Sequence, residues 1–204
     1  MGEMSDPRGI PMSVHAPWND RLAEPLAKEH FVQLYRDDRC LVEAVALFAG
    51  RGLGKGDAVI IVATPEHLAA IEGRLRRDRF EVDDLQQWRQ LTQIDAAAML
   101  SRFMVDGLPD PVAFKRVVGD IVQAVKAAGG YRRVRFYGEM VNLFWNDNLP
   151  AAVLLEQLWN ELIDVQGITL FCAYGLPSTA EAERSFPAHL KALHSHLVPV
   201  EACG

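Results

Sequence analysis

FAGRGLGKGDAVIIVATPEH, residues 48–67, sets glycines at 50, 52, 54 and 56 around Lys55 and then, past Asp57, runs into the aliphatic stretch AVIIVA. A phosphate-binding loop of the form G-x-x-x-x-G-K-[ST] needs glycines whose neighbouring N–H groups close on phosphate, and a hydroxyl that holds magnesium. With Gly54 and Lys55 in register, the first glycine falls on Ala49 and the hydroxyl on Gly56. The order of elements is also reversed. Such a loop leads from a strand into a helix start, whereas this one leaves a helical pattern and enters a strand. GLGK therefore reads as a helix C-terminus and a turn, where glycine takes up left-handed backbone at no steric cost. Lys55 reads as solvated.

Outward from this corner, short apolar runs alternate with helical patterns. AVIIVA, 58–63, is aliphatic almost throughout, as expected of a strand covered on both faces of a parallel sheet. Before it, FVQLY (31–35) reads as a strand, and Asp37 or Asp38 caps a helix with Leu41, Val42, Val45, Phe48 and Ala49 on one face. After it, Thr64-Pro65 supplies a capping hydroxyl and a first-turn proline for a helix to about Asp78. A weaker strand, Arg89 to Ile94, ends at Asp95, which can cap AAAMLSRFMV. Asp110-Pro111 opens a long amphipathic helix that ends at Gly129-Gly130. RVRFY (133–137) is a fourth strand, with GEMVNLFW turning helical after it. Pro150 starts AAVLLEQLWNELID, ITLFCAY (168–174) is a fifth strand, and AHLKALHSHL (188–197) has helical spacing.

Strands alternating with helices imply right-handed crossovers and an α/β three-layer sandwich around a mainly parallel sheet. The 204 residues, half of them apolar, suit one domain over 26–200, after a leader over 1–25 that reads as flexible. The 21 basic and 27 acidic residues give a net charge of −6, which does not suit a nucleic-acid binder. RLRR (74–77) and RRVR (132–135) read as solvated helix ends or strand starts rather than a basic patch. Three dispersed cysteines without a C-x-x-C pair suggest neither disulfide framework nor zinc site, and a cytoplasmic location follows. No apolar run reaches the roughly 18 residues of a membrane helix, and the N-terminus lacks a signal-peptide pattern.

Ligands of open parallel sheets bind beyond the carboxyl ends of the strands. That edge receives Tyr35 and Arg36, Thr64 to His67, Asp95, Gly138-Glu139 and Tyr174. Glu139 could act as a general base or ligand acceptor, or simply sit well in the first turn of the next helix. Thr64 offers the free N–H groups of a helix start, an anion site in principle and an ordinary cap otherwise. His194 and His196 in HSH do not share a helical face, so they would chelate together only in extended backbone, and they read as solvated. Cys172 reads as an inert core thiol. The stripe Leu155, Leu158, Trp159, Leu162 reads as core, while Phe144, Trp145 and Trp159 could line an apolar ligand pocket. The candidate ligand-binding set is Tyr35, Thr64, His67, Asp95, Glu139, Trp145 and Tyr174, with no catalytic residue, metal or cofactor assigned.

Six pieces in order carry a further signal: HFVQLYRDD, FAGRGLGKGDAVIIVATPEHLAAIEGRL, IDAAAMLSRFMVDGLPDPVAF, RFYGEMVNLFW, LLEQLWNEL and LFCAYGL. With the closing HLKALHSHLVP, the chain from about 29 to 198 resembles the MEDS domain family, sensory domains named after methanogen, methylotroph and dichloromethane-repressor proteins. The resemblance implies a fold related to the RecA/KaiC-type ATPases without a working phosphate loop. It also implies a sensory role, small organic molecules as ligands, and signalling through a histidine kinase or a transcription regulator. His30, Tyr35, Glu139, Trp145, Glu156 and Trp159 match recurring family positions, without a role attached. Because little chain follows the resembling segment, we expect a stand-alone module that signals through another chain or by forming a homo-oligomer, with no direct contact to nucleic acid or membrane. Two alternatives stay open: a diverged nucleotide-binding hydrolase or phosphotransferase using Glu139 as base and Thr64 as anion cradle, and a ligand-free protein-interaction adaptor.

Overall fold

A computed structural model describes residues 17–177 and 186–198. A central sheet of six strands runs in the order β3-β2-β6-β7-β1-β8, and all of its pairings are parallel. Its strands are β1 (His30–Tyr35), β2 (Ala58–Ala63), β3 (Leu91–Asp95), β6 (Val134–Gly138), β7 (Thr169–Gly175) and β8 (His196–Val198). A small antiparallel pair, β4 (Met104–Val105) and β5 (Leu108–Pro109), lies outside it.

Strand alternation sorts the core into two layers. Val32, Ile60, Val62, Phe136, Leu170 and Cys172 face one side, where α5 (Ala96–Leu100), α6 (Pro111–Ala128) and α7 (Leu149–Gln166) cover them. Phe31, Val59, Ile61, Tyr137 and Phe171 face the other, beneath α2 (Asp38–Gly54) and α3 (Pro65–Arg77). Every residue of β2 is buried, as its unbroken aliphatic run required. The Asp37 and Asp110 caps form where the sequence placed them, and Gly167 adds one it did not single out. Asp37 accepts the Arg39 N–H at 2.8 Å, Asp110 the Ala113 N–H at 2.7 Å, and Gly167, at φ 66°, closes α7.

The glycine corner ends α2. Gly56 turns with φ 78°, and Lys55, 42% exposed, pairs with Glu24. Gly52 does something else: a Cβ there would stand 2.7 Å from Cδ and Nε of Arg135. Arg135 is buried, so the last residue of RRVR is not part of a solvated strand start, whereas Arg132 keeps its side chain 58% exposed. The Arg135 Nε donates to Asp57 Oδ2 at 2.9 Å, and its Nη1 reaches the carbonyls of Phe48 at 2.9 Å and Ala23 at 3.1 Å.

Some elements differ from expectation. Pro17–Ala23, inside the stretch read as leader, form α1, and Leu22 of α1 is fully buried; the leader's residues 1–16 lie outside the described residues. The helix after Asp95 stops at Leu100, and GEMVNLFW gives only a 3-10 turn over Met140–Leu143. A short helix α4, Val82–Gln87, precedes β3. The expected helix over 188–197 ends at Lys191 as α8, and the chain then extends into edge strand β8. Among the described residues no helix is long and apolar enough to cross a membrane.

Candidate functional site

The carboxyl ends of β1, β2, β6 and β7 meet in a polar cluster centred on Glu139. This residue follows Gly138 at the end of β6, and its backbone N–H is held by Val62 O of β2 at 3.1 Å. The carboxylate is fully buried. Oε1 accepts the Thr64 backbone N–H at 2.6 Å, Oε2 accepts the Tyr137 hydroxyl at 2.8 Å, and both oxygens lie 2.9 Å from His67 Nδ1. Only a protonated Nδ1 satisfies that last pair, so the proton sits there. A buried charge needs such saturation, since an unpaired carboxylate would be strongly destabilising.

Around it, Tyr35 lies edge-on to the His67 ring, centroids 6.2 Å apart. Asn142 Nδ2 donates to the Tyr35 hydroxyl at 3.1 Å, while Asn142 Oδ1 accepts the Gly175 N–H at 2.7 Å, tying β1 to β7 through the turn after β6. The Glu139 hydrogen bond raises the His67 pKa, against desolvation and with help from Asp38, whose Oδ1 is 3.5 Å from Nε2. Burial, reinforced by Glu139, pushes the Tyr35 and Tyr137 hydroxyls up.

The anion site that Thr64 offered in principle is thus filled from within, and Thr64 serves as an ordinary cap. Thr64 Oγ1 caps the His67 N–H at 3.3 Å, Pro65 has no N–H to give, and the Thr64 N–H is spent on Glu139. Another strand-to-helix junction, β1 to α2, carries Asp37 and Asp38.

Tyr35, Thr64, His67 and Glu139 are therefore together, as the sequence suggested. Asp95 is not with them: it lies at the end of β3, beside Ala63, with Oδ1 capping α5 through the Ala98 N–H at 2.6 Å. Trp145 and Tyr174 belong to the opposite face, where they stack with Phe186 at centroid distances of 4.9 to 5.7 Å. Trp159 is 1% exposed between Phe114 and Phe136, which makes it core. Tyr137 and Asn142 were not singled out from sequence. The alternation of β6 could have found Tyr137, which lies two residues before Glu139, whereas nothing local marks Asn142.

A second buried polar group lies under α7. Glu156 accepts the Tyr174 hydroxyl at Oε1, 2.5 Å, and Oε2 is 3.4 Å from His30 Nε2. His194 Nε2 is 3.5 Å from Oε1, so the solvated reading of HSH fails: the His194 side chain is 1% exposed, while His196 turns away to Glu29 at 3.0 Å. Burial drives the His30 pKa down to about 4, with His194 adding to it. Burial opposes ionisation of Glu156, but His194, His30 and the Tyr174 hydroxyl outweigh it and hold the carboxyl at about 2. A groove of about 1050 Å³ between α1, α2 and α3 touches neither cluster.

Residues 29–194 match the family described as MEDS, the methanogen/methylotroph, DcmR sensory domain. Among solved structures, a KaiC-like protein of the hyperthermophilic archaeon Pyrococcus horikoshii OT3 is similar with a TM-score of 0.59 and 14% identity, over 85% of this chain and 72% of that one. At that identity the likeness is one of fold, the RecA/KaiC-type sheet and its helices. No curated protein sequence matches.

Proposed function

The chain belongs to the MEDS family of sensory domains, and we propose that it is a cytoplasmic sensory module rather than an enzyme. It binds a small organic molecule at the strand carboxyl edge, over His67, Tyr35 and Asn142, and passes the bound state to a partner protein such as a histidine kinase or transcription regulator, or to a second copy of itself. One observation carries the choice of ligand class: Glu139 occupies the helix-start position that a phosphate would need, held there by the Thr64 N–H at 2.6 Å. An incoming nucleotide would have to expel a buried, triply bonded carboxylate and then lie beside Asp37 and Asp38, with like charges opposed. A neutral or cationic organic ligand meets no such conflict.

A thermal-shift screen of the purified chain against short-chain alcohols, amines, carboxylic acids and halocarbons, with Mg-ATP in parallel, tests this. The expected result is a saturable rise in Tm with one organic class, lost in Tyr35→Ala and His67→Ala. A saturable response to Mg-ATP alone would replace the sensory reading with a nucleotide-binding one. Silence towards every compound, together with self-association in light scattering, would replace it with an adaptor.

A further inference from the structure

We propose that His30, Glu156, Cys172 and His194 bind one transition-metal ion of the zinc type. They come from β1, α7, β7 and the segment after α8, and one ligand atom from each lies within 4.8 Å of all the others. Four of the separations, shared between the two Glu156 oxygens, are close to those of a metal centre. His30 Nε2 is 3.3 Å from Cys172 Sγ and 3.4 Å from Glu156 Oε2, Cys172 Sγ is 3.8 Å from Oε2, and His194 Nε2 is 3.5 Å from Oε1. Bond lengths of about 2.0–2.3 Å set the ligand atoms of a tetrahedral zinc site about 3.3–3.6 Å apart.

Both imidazoles are oriented as ligands. Asn160 Nδ2 donates to Leu193 O at 2.9 Å, which fixes its Oδ1 toward His30 Nδ1, 2.9 Å away. His30 therefore carries its proton on Nδ1 and aims the Nε2 lone pair inward. His194 Nδ1 donates to Leu190 O at 2.8 Å and likewise turns Nε2 inward. Histidines that hold metals are fixed in this way, through the second ring N–H on a carbonyl or carboxylate. The His194 Nε2 so aimed is buried and, 3.5 Å from Glu156 Oε1, makes no well-formed hydrogen bond. Ligation would supply the missing bond.

Charge points the same way. The Glu156 carboxylate is fully buried, and no Lys or Arg is paired with it among the described residues. A divalent ion on Glu156 and a Cys172 thiolate leaves the centre neutral. On binding, the sulfur exchanges its proton for the metal and that proton leaves to solvent. The two nitrogens, one oxygen and one sulfur suit zinc and its neighbours, whereas magnesium and calcium require oxygen ligands throughout. The Tyr174 hydroxyl on Oε1 and Asn160 on His30 form the supporting shell. Because His194 is brought in by the segment over 186–198, occupancy would fasten that segment, and β8 with it, to the sheet.

The untagged full chain, stripped with a chelator and then offered Zn²⁺ or Co²⁺, tests the site. About one equivalent of zinc is expected to survive gel filtration, and the Co²⁺ form should show a thiolate-to-metal charge-transfer band with strong tetrahedral visible bands. Cys172→Ser should abolish the charge-transfer band. His194→Ala, on the segment after α8, should drop retained zinc to about a tenth or less, and Asn160→Ala should weaken binding by about 10–100-fold. Circular dichroism confirms that each variant is folded. If the folded wild type retains no metal, or if all variants retain it equally, the cluster is only a hydrogen-bonded ion network and the proposal fails.

Discussion

His67 Nδ1 stands 2.9 Å from both carboxylate oxygens of Glu139, a buried acid shared with the start of α3. The groups that face the imidazole are Glu139, Asp38 and the Tyr35 ring. Glu139 raises the His67 pKa above its ordinary 6.5. Protonated His67 is thus favoured in the folded state, so its stabilisation is complete below about pH 6.5 and is lost as pH rises through the raised value. The Tm gap between wild type and His67→Gln should be larger at pH 6 than at pH 8.5. An equal gap at both would show that the imidazole does not gain protonation on folding.

Asp57 and Arg135 form a second buried pair, with side chains 1% and 4% exposed. Removing one partner leaves the other charge stranded, at a cost of about 3–5 kcal/mol. Arg135→Met should lower the urea midpoint accordingly, and the double change Asp57→Leu with Arg135→Met should recover much of the loss. A double variant as unstable as the single one would place the damage in lost contacts to the Phe48 and Ala23 carbonyls instead.

The glycines of GLGKG, residues 52–56, should respond in three different ways. Gly54 has nothing within 4 Å of an added Cβ, so Gly54→Ala should be neutral or gain up to about 1 kcal/mol of helix propensity. Gly52→Ala drives its methyl into an Arg135 side chain that three acceptors hold in place, and should destabilise in spite of the same propensity gain. Gly56→Ala, at φ 78°, should cost about 1–2 kcal/mol of backbone strain. Denaturant melts of the three variants separate these cases.

Trp159 stacks edge-on against Phe114 at 5.1 Å and tilted against Phe136 at 4.7 Å. Trp159→Ala should cost about 3–5 kcal/mol by opening a cavity. The ligand-dependent rise in Tm should persist in the variant from its lower starting value.

The sheet was legible because its strands are covered on both faces and therefore written as unbroken apolar runs. AVIIVA and ITLFCAY lie within one residue of the strands they form. β8 was not legible: three residues at a sheet edge, after a helical pattern that Leu190 and Leu193 also satisfy, give no period to read. At the carboxyl edge, topology alone collected Tyr35, Thr64, His67 and Glu139. It also collected Asp95, which caps α5 instead, and Tyr174, whose side chain takes the other face of β7; Trp145, picked as an apolar pocket residue, joins Tyr174 there. The His30–Glu156–Cys172–His194 group was invisible for a stronger reason. Its members are separated by 126, 16 and 22 residues, so no spacing carries them.

The strand order also sets a timetable. β1 pairs only with β7 and β8, His30 opposite Leu170 and Phe31 opposite His196. Synthesis at about 5–20 residues per second leaves β1 without a neighbour for about 7–27 s after it is made. During that interval β2 and β3 can pair with each other and β6 can join them once it is made, but β7, which joins β1 to that half of the sheet, does not yet exist. An apolar strand waiting at the ribosome is open to wrong partners. The nascent chain should therefore depend on chaperones until β7 emerges, more than its finished, closely packed sheet would suggest.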